Sequence, residues 1–180
     1  MSWERQPLED HEATALLDAA PQLSQSHHLV VATLLHTGMR ADELAHMHSS
    51  WVNWAQAELS IKVQPTDSWS PKSEAGHRII PIRNPDVRRL LSEHFSDHES
   101  MGISRTTIWR RVDDTAEHAD ISTRCSPHVL RHTYGTQLAA RGASAQYIKQ
   151  TMGHVHLATS QQYIQFSGRR LHEEADRLYQ

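Results

Sequence analysis

Six residues spread along the chain carry side chains suited to one piece of chemistry: Arg40, Lys72, His128, Arg131, His154 and Tyr163. Arg40 follows Thr37-Gly38-Met39 and leads into a helix, with Glu43 one turn on. His128 and Arg131 lie three apart on a predicted helix and therefore share a face. Tyr163 follows Gly153-His154, nine residues beyond the histidine. Together these groups fit phosphodiester exchange without a metal. Guanidinium forks can hydrogen-bond the charge that gathers on the non-bridging oxygens. A tyrosine hydroxyl can act as nucleophile and store the bond energy needed for rejoining. Lysine and histidine can protonate the departing oxygen and accept the tyrosine proton. No Asp/Glu metal cluster is required.

The elements that must hold these groups are mostly helical. A helix is predicted from about Leu8 to Ala20, closed by Pro21, and a second from about Ser26 to His36 with a turn at Gly38. A third starts near Arg40, with Leu44 and Met47 on its apolar edge. The period then changes: Leu59, Ile61 and Val63 alternate with polar residues, as do Ile80 and Ile82, so Glu58 to Ile82 reads as strands around a polar loop. That loop holds Pro65, Pro71, Lys72 and Gly76. Asn84-Pro85 and Ser126-Pro127 are cap-plus-proline signals that open helices, the second running to Arg141 before Gly142. Ser104 caps another helix, with Ile108, Val112 and Ala116 at four-residue spacing. Ser144 to Met152 is a short helix ended by Gly153, and a last amphipathic helix carries Leu171, Ala175 and Leu178. The fold class is mainly α (α+β): a helical domain with one small antiparallel sheet.

Composition narrows the class. With 180 residues, 38% hydrophobic and 22% charged, the chain can bury a real core. No apolar run approaches the roughly 20 residues needed to span a bilayer, so no membrane partner is expected. A polar N-terminus and a single cysteine, Cys125, fit a cytoplasmic protein. The net charge of −3 is unlike a basic DNA-binding footprint, but arginines cluster at Arg88-Arg89, Arg110-Arg111 and Arg169-Arg170, so placement decides. Fifteen histidines invite a metal reading. His46 and His48 diverge on a helix, His27 and His28 are adjacent, and one cysteine cannot build a thiolate site, so neither metal nor other cofactor is expected. His132 and His156 read as packing or tuning residues. Trp3, Trp51, Trp54 and Trp109 read as packing, and Trp69, beside the loop, is a candidate for stacking on DNA.

Three boxes carry a resemblance. Thr-Gly-Met-Arg-Ala-Asp-Glu-Leu (37 to 44), His-Val-Leu-Arg-His-Thr-Tyr-Gly-Thr-Gln-Leu (128 to 138) and Met-Gly-His-Val-His-Leu-Ala-Thr-Ser-Gln-Gln-Tyr (152 to 163), with Lys72 between, resemble the catalytic domain of the tyrosine recombinase, or phage integrase, family. The match runs from Leu8 to about Phe166. The resemblance implies a site-specific recombinase or integrase that cleaves and religates double-stranded DNA through a 3′-phosphotyrosyl link at Tyr163, leaving a free 5′ hydroxyl. It implies that Arg40 and Arg131 hold the phosphate, with His154 as a further phosphate ligand and Glu43 in support. Lys72 on a β-hairpin would be the general acid, and His128 the base or proton shuttle. It also implies assembly with other copies on DNA as a tetrameric synapse, as part of a mobile element or dimer-resolution system. The segment from Lys72 to Pro81 is about one residue longer than the usual hairpin, which leaves Lys62 as reserve. The family's N-terminal core-binding domain is not expected here; residues 1 to 180 read as one catalytic domain. A type IB topoisomerase, a telomere-resolving enzyme and a non-catalytic DNA-binding module remain as alternatives.

Overall fold

The computed structural model describes residues 6–62, 69–70, 74–122, 124–166 and 168. Helix α1 (Asp10–Leu23) starts where the Glu9 amide donates to the Glu12 carboxylate at 2.9 Å. Ser24 then caps α2 (Gln25–Thr37), its hydroxyl accepting from the His27 amide at 3.2 Å. Leu29 to Leu35 are buried without interruption, so α2 is apolar all round rather than striped. It is the central rod, packed against α1, α4 (Pro85–Asp97), α5 (Arg105–His118) and α6 (Pro127–Ala140). Asn84, Ser104 and Ser126 cap these last three as the sequence indicated, each side chain accepting from a first-turn amide.

Beyond α2 come the one-turn α3 (Ala41–Ala45) and an antiparallel sheet in the order β1 (Val52–Asn53), β2 (Glu58–Ile61), β3 (Arg78–Pro81). Leu59 pairs with Ile80, and Ile61 with Arg78. The two-residue period buries Leu59, Ile61 and Ile80, while Ile79 stays 54% exposed. Arg78 falls on the inward face of this pattern. A second, smaller apolar cluster joins α6, α7 (Ala145–Met152) and α8 (Leu157–Phe166) through Tyr134, Ala139, Ile148, Met152 and Tyr163. Elements from both halves of the chain therefore meet at the ends of α2, α6 and α7.

Several expectations change. Helix α1 continues through Pro21 to Leu23, because a proline in the last turn forfeits a single backbone bond. Met47 is buried but lies past α3, which stops at Ala45. Strand β1 was not legible, since two residues carry no period. Ile82 is buried just outside β3. The polar run before Tyr163, to which no element was assigned above, is helical, and the tyrosine is 3% exposed and packed in place. Lys72, Val63, Pro65, Pro71 and the terminal Leu171, Ala175 and Leu178 lie outside the described residues.

Candidate active site

Two helix C-termini aim their carbonyls at two arginines. Gly38 closes α2 with φ of 61°, and Gly153 closes α7 with φ of 65°, both left-handed. Arg131, on α6, donates from one guanidinium nitrogen to the Gly38 carbonyl and from another to the Met152 carbonyl. Cations at helix C-termini are favoured by the orphan carbonyls there. Neither glycine can be replaced cheaply. A Cβ on Gly38 would stand 2.3 Å from a ring carbon of Tyr134, and one on Gly153 would stand 2.6 Å from the Ala75 carbonyl oxygen.

Arg40 sits at the N-cap of α3, its backbone amide 2.7 Å from Glu43 Oε2 and its Nη1 2.8 Å from Oε1. Its Nη2 reaches the Gly153 carbonyl at 3.2 Å, which brings the first arginine box onto the Gly-His segment. Glu43 is 2% exposed and also grips Arg78 by a two-pronged contact at 2.8 and 2.9 Å. Burial pushes the Glu43 carboxyl up, but the Arg78 hydrogen bonds and the charges of Arg78, Arg131 and Arg40 outweigh it and hold it at about 2. Burial, then Arg40 and Arg78, draws the Arg131 guanidinium down to about 9, so it remains a cation at neutral pH. Three guanidinium groups around one carboxylate make this spot positive in a chain whose net charge is −3. Arg40, Glu43, His128 and Arg131 line one cavity of about 210 Å³.

Tyr163 comes to the same place from α8. Its ring lies parallel to His154, centroids 5.8 Å apart and planes 2° off, and its hydroxyl is 2.9 Å from His132 Nδ1. Close approach needs Gly135 on α6, where a Cβ would stand 2.6 Å from a Tyr163 ring carbon. Burial raises the Tyr163 hydroxyl above its ordinary value against the pull of Arg131, which favours the protonated phenol. His154 is held down to about 3 by burial, then by Arg131, Arg40, Arg78 and His132. It is a neutral imidazole, with Nδ1 2.8 Å from the Ser160 hydroxyl. A serine that donates to Nδ1 leaves the proton on Nε2, free to donate onward.

Residues 6–169 match the family model described as the phage integrase family. The chain belongs to that family. It is 25% identical over 184 residues to tyrosine recombinase XerA of Pyrococcus furiosus, covering 94% of this chain and 60% of that protein. The crystal structure of XerA recombinase superposes with a TM-score of 0.76 at 25% identity, covering 95% of this chain and 64% of that one. The Tn1549 transposon integrase, solved in complex with transposon right end DNA, has a TM-score of 0.74 at 19% identity over 97% of this chain and 66% of its own, which speaks to fold alone. This integrase-family chain thus spans less than two thirds of the length of each.

Five of the six sequence candidates are described, and the structure draws Arg40, Arg131, His154 and Tyr163 together with His128 at the cavity wall. The sixth, Lys72, lies outside the described residues, and the reserve Lys62 is exposed just past β2. Two functional contacts escaped sequence reasoning. Arg78 ties β3 to Glu43 and donates to the Thr151 carbonyl at 2.7 Å; its signal was an arginine in register with buried Ile80. His132 touches the Tyr163 hydroxyl, and its signal was the four-residue step from His128 on one helix. Trp69 is tied down: its indole donates to Asp42 at 2.8 Å, and its ring stacks on His46 at 5.1 Å. His156 is exposed. Among the described residues no group of three His, Cys, Asp or Glu side chains is placed to hold a metal ion.

Proposed function

We propose that this chain is the catalytic domain of a site-specific tyrosine recombinase that cuts and rejoins double-stranded DNA through a 3′-phosphotyrosyl intermediate at Tyr163. The observation that carries the reading is the seating of Tyr163 against His154 at a site where the guanidinium groups of Arg40, Arg78 and Arg131 converge. In this account Arg40 and Arg131 hold the non-bridging oxygens of the scissile phosphate, where forked donors match the charge of the transition state. Neutral His154 donates a further hydrogen bond without competing as a cation. The Tyr163 oxygen bonds to phosphorus as the bond to the 5′ oxygen breaks, and Lys72 is assigned the proton that the leaving oxygen takes. The phosphotyrosyl bond conserves the energy of the broken linkage, so resealing is the same step reversed and needs no nucleotide cofactor.

The proposed partners are DNA and further copies of the chain on DNA, with a tetrameric synapse as the working assembly. No described helix is long and apolar enough to cross a membrane, and cytoplasmic DNA is the proposed substrate. The test of function is covalent capture. The chain is incubated with a pool of nicked duplexes of random sequence, with chelator present, and SDS-resistant adducts are recovered. Adducts enriched for particular sequences are expected; their absence overturns the reading. For assembly, removal of residues 168 to 180 is expected to weaken self-association on captured DNA, and unchanged association refutes that part.

A further inference from the structure

We infer that His132, rather than His128 directly, takes the Tyr163 proton and passes it to His128, making a two-imidazole relay from the buried nucleophile to solvent. The inference deepens the proposed function and rests on Tyr163 as nucleophile. Tyr163 Oη lies 2.9 Å from His132 Nδ1, and His132 Nε2 lies 2.9 Å from His128 Nε2. The three groups form one continuous hydrogen-bonded line, because residues 128 and 132 stand one helical turn apart on α6. Their rings meet edge to face, centroids 4.4 Å apart and planes 89° off, which points a ring nitrogen of one at that of the other. Burial differs along the line: Tyr163 is 3% exposed and His132 8%, while His128 is exposed at the cavity mouth.

The direction of transfer follows from that gradient. A cation resting on His132 would be buried in the field of nearby Arg131 and would have to be desolvated. A cation on His128 is hydrated instead. As the Tyr163 oxygen bonds to phosphorus, its proton moves to His132 Nδ1, and the proton on His132 Nε2 moves to His128 Nε2. His132 ends neutral with its tautomer reversed, and the positive charge appears on His128, which sheds its other ring proton to water. The 5′ oxygen leaves with the proton of the separate general acid, so atoms and charge balance. Resealing runs the line backwards.

Two arms test this. Without DNA, nitrogen-15 NMR of the imidazoles should show His132 unprotonated at Nδ1 and protonated at Nε2; a proton on Nδ1, donating to the tyrosine oxygen, overturns the relay. With captured duplexes, single-turnover adduct formation is compared among variants. His132→Asn keeps an acceptor near the Nδ1 position but has no second nitrogen to pass the proton, so adduct formation should fall by about 10²-fold. A loss under about threefold would mean that only an acceptor is needed and overturns the proposal. His128→Ala opens the exposed end, so imidazole in the buffer should restore that variant but not the double variant H128A/H132N. Equal restoration of both overturns it. An adduct formed by Tyr163→Phe would instead sink the nucleophile assignment, a result separable from either arm.

Discussion

Replacing Glu43 by Gln removes the one carboxylate that three guanidinium groups share, and the cost can be worked from the site. The Glu43 and Arg78 side chains are 2% and 4% exposed, so solvent screens their pair little. Breaking a buried pair by neutralising one partner costs about 3–5 kcal/mol, since the other charge stays buried without compensation. The same contacts expressed as a shifted pKa, about 2 instead of 4.5, correspond to about 3 kcal/mol of folding free energy at pH above the unfolded value. Because the folded carboxyl is depressed, this stability is fully present above about pH 5 and is lost as pH falls through about 2. For a domain of 180 residues, 3 kcal/mol lowers the melting temperature by about 6–12 °C. Urea unfolding at pH 7 should therefore show E43Q about 3 kcal/mol less stable than the parent, with the gap closing below about pH 4. The double variant E43Q/R78M should recover part of the loss, because it removes both charges. A gap under about 1 kcal/mol at pH 7, or a double variant worse than the sum of the singles, would refute the shared-carboxylate account.

Arg131→Lys keeps the charge but loses the fork that spans the Gly38 and Met152 carbonyls, so covalent capture should fall by about 10²-fold with DNA retention little changed. Gly135→Ala places a methyl 2.6 Å from Tyr163, which must shift; capture should drop sharply while stability falls by about 1–3 kcal/mol in urea. His154 should remain neutral in an NMR titration down to about pH 4, since its folded value is about 3. Its depressed value makes the folded state lose stability as pH drops below about 6.5, where the unfolded chain binds the proton first.

The sequence made the helices legible where caps were explicit. Asn84-Pro85, Ser104 and Ser126-Pro127 each begin a helix within a residue of expectation, because side-chain capping is a local signal. The candidates Arg40, Arg131, His154 and Tyr163 were picked by type and spacing and come together in the structure, where the left-handed Gly38 and Gly153 mark the helix ends on which Arg131 and Arg40 anchor. What was not legible is relational. Arg78 shares the inward parity of Ile80, but its partner Glu43 lies 35 positions away and appears only once β3 is placed beside α3 in the fold. His132 reads as a packing or tuning residue beside Arg131 until α8 delivers the Tyr163 hydroxyl to it, 31 positions away. The helical state of the Tyr163 segment was hidden because its polar Thr-Ser-Gln-Gln run carries little hydrophobic period.

The most direct test of the central claim is to identify the atom that joins protein to DNA. Adducts captured on nicked duplexes in the presence of chelator are digested, and the nucleotide-bearing peptide is sequenced by mass spectrometry for the parent and for Tyr163→Phe. That substitution deletes the hydroxyl that meets His132 Nδ1 at 2.9 Å and leaves the ring packed against His154 and Gly135, so it should cost about 1–3 kcal/mol of stability with DNA retention nearly unchanged. The account predicts a single modified peptide with the nucleotide on Tyr163 and no adduct in the variant. A nucleotide on Tyr134, Tyr147 or Tyr179, or an adduct that survives in Tyr163→Phe, would contradict it.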